Sequence, residues 1–297
     1  MGIKVPQMQN NARLGITLMI ATTIVFAAQD GISRHLGSAY NVQMIVMLRY
    51  WFFALFVLAV ARRVSGGIRQ AAKTANLWLQ ILRGIILAFE IWITVVAFTL
   101  LGLIESHAIF ACYPLLIAAL SGPVLGEKVG WRRWSAIAVG FIGLLIILRP
   151  GIGVFSILGL LPFLSAILFA IYGILNRYVA RNDRAETSFF WTGIIGAIVS
   201  SGIGIWYWEP MTGFDWVWMG MLCISGALGH WLLIKSYEVA QASVLQPFAY
   251  LQLVFITFIG ITVFDEELKA NVALGTIVVI FAGLFTLRRE RLKTRSL

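Results

Sequence analysis

The chain has 297 residues, 60% of them hydrophobic and 12% charged, with a formal net charge of +10 and a mean hydropathy of +0.89. Those proportions lie well outside the range of soluble globular domains, so the one or two water-exposed domains that the length alone would suggest are excluded. The basic balance could serve nucleic acid or an acidic partner, and its placement along the chain decides against both.

Ten apolar spans of about 18–23 residues, the length that a ~30 Å hydrocarbon core requires, are predicted in chain order. They fall at 13–34, 41–61, 77–98, 102–122, 131–149, 156–177, 187–207, 216–236, 242–264 and 270–288. They are read as helices and not as barrel strands, because they lack two-residue alternation and exceed strand length. The first run is full length and nine more follow, so it is read as the first helix of the mature protein and not as a cleaved signal.

With the amino terminus placed in the cytoplasm, eighteen Lys and Arg residues fall on the inner side. Only Arg34, Arg149 and Lys269 fall outside, and Arg49 and Arg83 lie within spans. This asymmetry sets both termini inside and accounts for the positive charge as topology, which removes the case for nucleic acid. Trp206, Trp208, Trp216 and Trp218 flank a short acidic outer loop at Glu209–Asp215, where amphipathic rings favour the headgroup level. The longest loops, near 62–76 and 178–186, are basic and cytoplasmic. Cys112 and Cys223 stand inside spans as small buried residues, with no disulfide or zinc spacing between them. No cofactor, metal or catalytic constellation is expected: His35, His107 and His230 are scattered in depth, and neither HExxH nor GxxxxGK[ST] occurs.

The chain repeats itself. Val25-Phe26-Ala27 … Ser33-Arg34 matches Leu168-Phe169-Ala170 … Asn176-Arg177, Trp92 matches Trp231, Gly126-Glu127 matches Asp265-Glu266, and Phe141-Ile142-Gly143 … Leu148-Arg149 matches Phe281-Ala282-Gly283 … Leu287-Arg288-Arg289. The offset is 139 to 143 residues throughout. Two units are therefore expected, 1–150 and 151–297, joined at Pro150-Gly151-Ile152-Gly153. Each holds five spans, an odd number, so the second unit must enter the membrane inverted. Such a pair points to a transporter. Glycine pairs such as Gly122/Gly126, Gly140/Gly143, Gly193/Gly196 and Gly226/Gly229 are read as helix-packing contacts, with a homodimer as the alternative their spacing leaves open.

On these features the chain resembles the drug/metabolite transporter superfamily and, within it, the EamA-type ten-helix carriers. The resemblance rests on Arg49, Arg83, Pro114-Leu115-Leu116, Leu125-Gly126-Glu127, Gly140–Gly143, the run from Ala242 to Gln252, and Phe264-Asp265-Glu266, where Asp265 replaces the more usual glycine. It implies an all-α membrane protein of two inverted five-helix repeats in a bacterial inner membrane. Gln29–Arg34, Leu103–Ala108 and Pro114–Glu127 further resemble proteobacterial riboflavin carriers of the RibN type. Amino-acid exporters and S-adenosylmethionine carriers share much of the pattern. The resemblance implies a small organic solute, with riboflavin uptake the leading substrate.

An ionisable group at the bilayer centre costs about 2.5–3.5 kcal/mol and marks a functional site by default. Glu90 lies mid-span and Arg49 at comparable depth, so Arg49 is expected as its countercharge. The pair serves either as a structural clamp or as a solute and proton site. His230 falls one place from the repeat counterpart of Glu90; it either shuttles protons or donates to a carbonyl. Asp30 and Arg34 stand four apart and are expected to pair locally, with Gln29 and Asp30 also facing an outer vestibule. Tyr172 and Asn176 occupy the matching face of the sixth span. Gln246, Pro247, Tyr250 and Gln252 combine a helix breaker with polar groups and make a credible binding wall. Trp92 and Trp231 offer flat surfaces that stack on a ligand or pack in the core. Glu127 and Glu266 are read as caps or as partners for nearby basic residues. A membrane-embedded enzyme and a receptor without flux are the rival classes. Under the carrier reading, Glu90→Gln is expected to impair transport while the protein still folds, and uptake at the wild-type rate would remove Glu90 from the mechanism.

Overall fold

The computed structural model describes residues 11–63, 67–127, 130–148, 157–278 and 280–282, and every regular element among them is a helix. The first half holds α1 (Ala12–Ala39), α2 (Val42–Arg63), the short α3 (Gly67–Ala71), α4 (Leu77–Leu101), α5 (Leu103–Phe110), α6 (Tyr113–Leu125) and α7 (Trp131–Leu148). The second holds α8 (Leu160–Val179), α9 (Ala185–Gly204), α10 (Asp215–Val239), α11 (Ala242–Ala249) and α12 (Leu251–Phe264), followed by a helix at Ala270–Ala282.

Among the described residues eight segments are long and apolar enough to cross a membrane, Leu103–Leu125 and Val244–Phe264 each counting as one. The fifth expected span coincides with α7, and the tenth begins in the shorter helix Ala270–Ala282. The rest of the tenth span, the terminal basic clusters and the expected junction at Pro150–Gly153 lie outside the described residues. The loop expected near 62–76 contains α3.

The packing repeats with the sequence. The first helix of each half lies against the third span of the other: α1 on α10, and α8 on α4, while α2 packs on α9. These contacts interleave the halves, so the core is shared between them and neither half buries its own. The buried residues of α4 show why. Leu87, Ala88, Glu90, Ile91 and Val95 face inward, whereas Phe89 is exposed toward the lipid side, as the 3.6-residue period of a helix requires.

Two spans that the sequence reads as continuous are broken. The first breaks at Ala111-Cys112, between α5 and α6, where Pro114 occupies the first turn of α6. Proline is accepted there because first-turn amides lack an intrahelical partner anyway. The second breaks at Tyr250, between α11 and α12, 139 residues after Ala111, three places beyond Pro247.

The carboxylates expected to be structural hold the start of both broken spans. Glu266 accepts the backbone amides of Leu103 at 2.7 Å and Ile104 at 2.8 Å and pairs with Arg34. The guanidinium of Arg34 sits 4.3 Å over the Phe264 ring. In the other half Glu127 accepts the amide of Ala242 at 3.3 Å and lies 3.9 Å from Arg177, the repeat counterpart of Arg34. A carboxylate at a helix N-terminus meets both the orphan amides and the positive end of the helix dipole. Arg34 therefore pairs with Glu266 and not with Asp30, a correction to the local pair expected from their spacing.

Gly126 is not a packing residue. It caps α6 in the left-handed region at φ 71° with nothing near its Cα hydrogen, while Asp265 caps α12 at φ 51°. The loop departure read from the sequence thus falls on the one non-glycine residue with positive φ among the described residues. Left-handed backbone costs an L-residue roughly 1–2 kcal/mol, partly offset by the extra chain entropy glycine loses on folding. Asp265→Gly is expected to stabilise the protein by up to about 1 kcal/mol, read as a higher midpoint of thermal unfolding in detergent.

Candidate functional site

A cavity of about 40 Å³ lies inside the bundle, room for about three waters at ~10–15 Å³ each. Gln29, Asp30 and Ser33 of α1, Arg49 of α2, Glu90 and Thr94 of α4, His107 of α5, His230 of α10 and Gln252 of α12 face it, over an aromatic surface of Phe26, Phe110 and Phe169. Gln29, Asp30, Arg49, Glu90, His107, His230 and Gln252 are all buried. Desolvating so many polar groups is sustainable only where they bond to one another or to a ligand.

Two clusters form. In the first, Asp30 takes hydrogen bonds from Gln252 Nε2 at 2.9 Å and Gln29 Nε2 at 3.3 Å, and its Oδ2 lies 3.1 Å from His107 Nε2. The other nitrogen of His107 points at the carbonyl of Leu103, 3.3 Å away, and the ring stacks on Phe98 at 4.8 Å. Arg49 joins this cluster through Nη2, donating to Gln29 Oε1 at 3.0 Å and to His230 Nε2 at 3.3 Å. That bond makes Nε2 of His230 the acceptor, so its proton sits on Nδ1. Gly226 on α10 lets the guanidinium lie flat, because a Cβ there would fall 2.6 Å from Arg49 Nε.

The second cluster surrounds Glu90. Its Oε1 accepts from Thr94 Oγ1 at 2.7 Å and from Ser165 Oγ of α8 at 2.8 Å, and the two hydroxyls also touch each other. The Arg49–Glu90 pair expected from their matching depth is not formed. The rotation of α2 turns Arg49 toward Gln29 and His230, whereas Glu90 faces α8. Asp30, expected to pair with Arg34, is held instead by α5 and α12.

Of the residues singled out from sequence, the structure brings Gln29, Asp30, Arg49, Glu90, His230 and Gln252 to one cavity and leaves Tyr172, Trp92, Trp231, Gln246 and Tyr250 off it. Trp92 packs edge-on against Phe89 at 5.4 Å. Trp231 packs against Phe189 at 5.0 Å with Lys235 at 4.9 Å over its ring. Gln246 bonds to Tyr237 Oη at 3.3 Å and to its own helix at Ala242 O. Tyr250 belongs to an apolar cluster with Ala111, Leu115 and Leu253. Tyr172 lies deeper than the cavity, 6.0 Å from the His230 ring. Sequence reasoning did not assign Thr94, Ser165 and His107 to the site. His107 had a signal, as a histidine seven residues before Pro114, but a hydroxyl on an apolar helix has none.

Below the cavity a separate polar layer joins α4, α8 and α9. Arg83, fully buried, donates to Asn176 Oδ1, to the carbonyl of Ser188 and to Thr192 Oγ1, and its guanidinium carbon lies 5.5 Å from the Tyr172 ring centre. Gln80 bonds to Asp183 at 2.9 Å and Ser188 at 3.1 Å, and Asp183 also accepts from Thr74 and from the amide of Ala75. This layer closes the end of the bundle at which α4 begins.

A helical bundle with eight membrane-length apolar segments among its described residues, built from two sequence repeats around a buried polar cavity, is a multi-pass membrane transporter. The chain belongs to the EamA-like transporter family, whose model matches it twice, at residues 13–149 and 156–288. It is 26% identical over 277 residues to an S-adenosylmethionine uptake transporter of Rickettsia prowazekii, covering 93% of each chain. It is 25% identical over 285 residues to a riboflavin transporter of Vibrio cholerae, covering 95% of each. A solved crystal structure superposes with a TM-score of 0.70 at 16% identity, over 95% of this chain and 98% of the other, which shows a shared fold.

Hydrogen bonds to a charged group contribute about 1.5–3 kcal/mol each, and Arg83 makes three across three helices. Arg83→Met is expected to destabilise the protein by about 3 kcal/mol or more, seen as a large drop in thermal midpoint and loss of a monodisperse peak on size exclusion. An unchanged midpoint would mean that the layer does not hold the helices together.

Proposed function

We propose that the protein is a secondary carrier that takes a small organic metabolite across the bacterial inner membrane by alternating access. In this reading residues 1–150 and 151–297 are two five-helix repeats inserted in opposite senses, with both termini cytoplasmic. The observation that carries it is the cavity lining, drawn from both halves: Gln29, Asp30, Arg49, Glu90 and His107 from the first, His230 and Gln252 from the second. Exchanging the conformations of two such halves turns a cavity open on one face into one open on the other. The charge asymmetry read from the loops supports the orientation; under it the Arg83 layer lies on the cytoplasmic side and the Arg34–Glu266 pair on the outer side.

At about 40 Å³ the cavity holds a few waters, so its walls must separate to admit a metabolite. Riboflavin, favoured from the sequence, and S-adenosylmethionine are both supported by relatives aligned over nearly the whole chain. Transport rests on solute or ion gradients, since no nucleotide-binding loop occurs in the sequence.

Purified protein in vesicles preloaded with unlabelled solute, then challenged in parallel with labelled riboflavin, aromatic amino acids and S-adenosylmethionine, tests the reading. Counterflow of at least one of them that depends on the matching internal solute is expected. Exchange of none across the vesicle wall would return the protein to a non-transporting role.

A further inference from the structure

Resting on the carrier reading, we infer that the cavity recognises the zwitterionic head of an α-amino acid, Arg49 receiving its carboxylate and Glu90 its ammonium group. Four groups able to carry charge border the cavity besides His230: Asp30, His107, Arg49 and Glu90. Asp30 and His107 answer each other. His107 Nε2 lies 3.1 Å from Asp30 Oδ2 and 3.4 Å from Gln252 Nε2, and its Nδ1 lies 3.3 Å from Leu103 O, so both groups are engaged within the protein.

Arg49 and Glu90 have no such mutual answer. Arg49 uses the single nitrogen Nη2 for both of its contacts, to neutral Gln29 and to the acceptor nitrogen of His230. Glu90 uses the single oxygen Oε1 for both of its own, to the hydroxyls of Thr94 and Ser165. Arg49 Nε and Nη1, and Glu90 Oε2, make no hydrogen bond among the described residues. Both residues are at most 4% exposed, and both face the same space. A buried cation and a buried anion bordering one cavity without pairing are costly in isolation. A ligand carrying a carboxylate and an ammonium on one carbon meets both, with the planar fork of arginine suited to the carboxylate. Phe26, Phe110 and Phe169 then offer apolar and π surface to the remainder of the solute.

This chemistry separates the two kinds of solute in the relatives' names. Riboflavin is uncharged near neutral pH and can satisfy neither group by ion pairing. S-adenosylmethionine carries the amino-acid head and a flat base on one molecule. The two solutes would therefore place different demands on Arg49 and Glu90.

The test uses wild-type protein in vesicles, labelled S-adenosylmethionine, and unlabelled competitors differing in one group: S-adenosylhomocysteine, its decarboxylated form, its N-acetyl form, and riboflavin. S-adenosylhomocysteine is expected to compete, and the decarboxylated and N-acetyl forms to compete roughly ten- to hundredfold more weakly, the size of one lost charge-assisted hydrogen bond. Arg49→Gln should abolish discrimination against the decarboxylated form only, and Glu90→Gln against the N-acetyl form only. Equal competition by all three nucleoside forms overturns the inference. So does riboflavin that competes as well as S-adenosylhomocysteine, or a Glu90→Gln variant that keeps full discrimination but no longer accumulates solute against a gradient, which would make Glu90 a proton site. Those results leave the carrier reading intact, whereas no exchange of any solute sinks both. If a variant fails to fold, the wild-type competition series decides alone.

Discussion

The first amides of a helix have no partner within it, and at the start of α5 and α11 this chain meets that constraint with a carboxylate lent from the opposite half. Glu266 closes the start of α5 and Glu127 the start of α11. Each is accompanied by the arginine that begins or ends the same repeat motif, Arg34 or Arg177. Without these caps the first amides of α5 and α11 would lose their side-chain acceptors. The two spans so anchored carry His107 and Gln252, which meet at Asp30.

The cavity follows from that arrangement. α5 and α12, freed from continuing straight, bring a histidine and an amide to α1, while α2 and α10 contribute Arg49 and His230 from the far side. Apart from the Arg49–Gln29 bond between neighbouring helices, these contacts cross from one repeat to the other or join helices distant in sequence. The polar centre therefore cannot form until both halves have packed. A site shared in this way is sensitive to relative movement of the halves, which is what alternating access needs.

The two arginines inside spans show how similar sequence features acquire different uses. Arg83 donates through Nη1 and Nη2 to Asn176, Ser188 and Thr192 and joins three helices into one layer, with its Nε left without a partner among the described residues. Arg49 keeps two of its three nitrogens without protein partners and borders a cavity. A buried charge bonded across several helices holds structure; one whose unused donors face a void is available to a solute. The asymmetry between Gly126 and Asp265 is of the same kind, since duplicated positions keep their backbone conformation while their side chains diverge.

What was legible in the chain by itself was everything that depends on runs and spacing. Span positions, the duplication at 139 to 143 residues, the membrane class and the capping roles of Glu127 and Glu266 all follow from length, hydropathy and order, which a linear sequence states directly. The partners of the buried charges were not legible. Adjacent residues on a helix point about 100° apart, because one turn takes 3.6 residues, so the depth that suggested Arg49 with Glu90 says nothing about which neighbour each faces. Only the packed rotation of α2 and α4, and the breaks at Ala111 and Tyr250, decided that Arg49 meets Gln29 and His230, that Glu90 meets two hydroxyls, and that Asp30 meets His107.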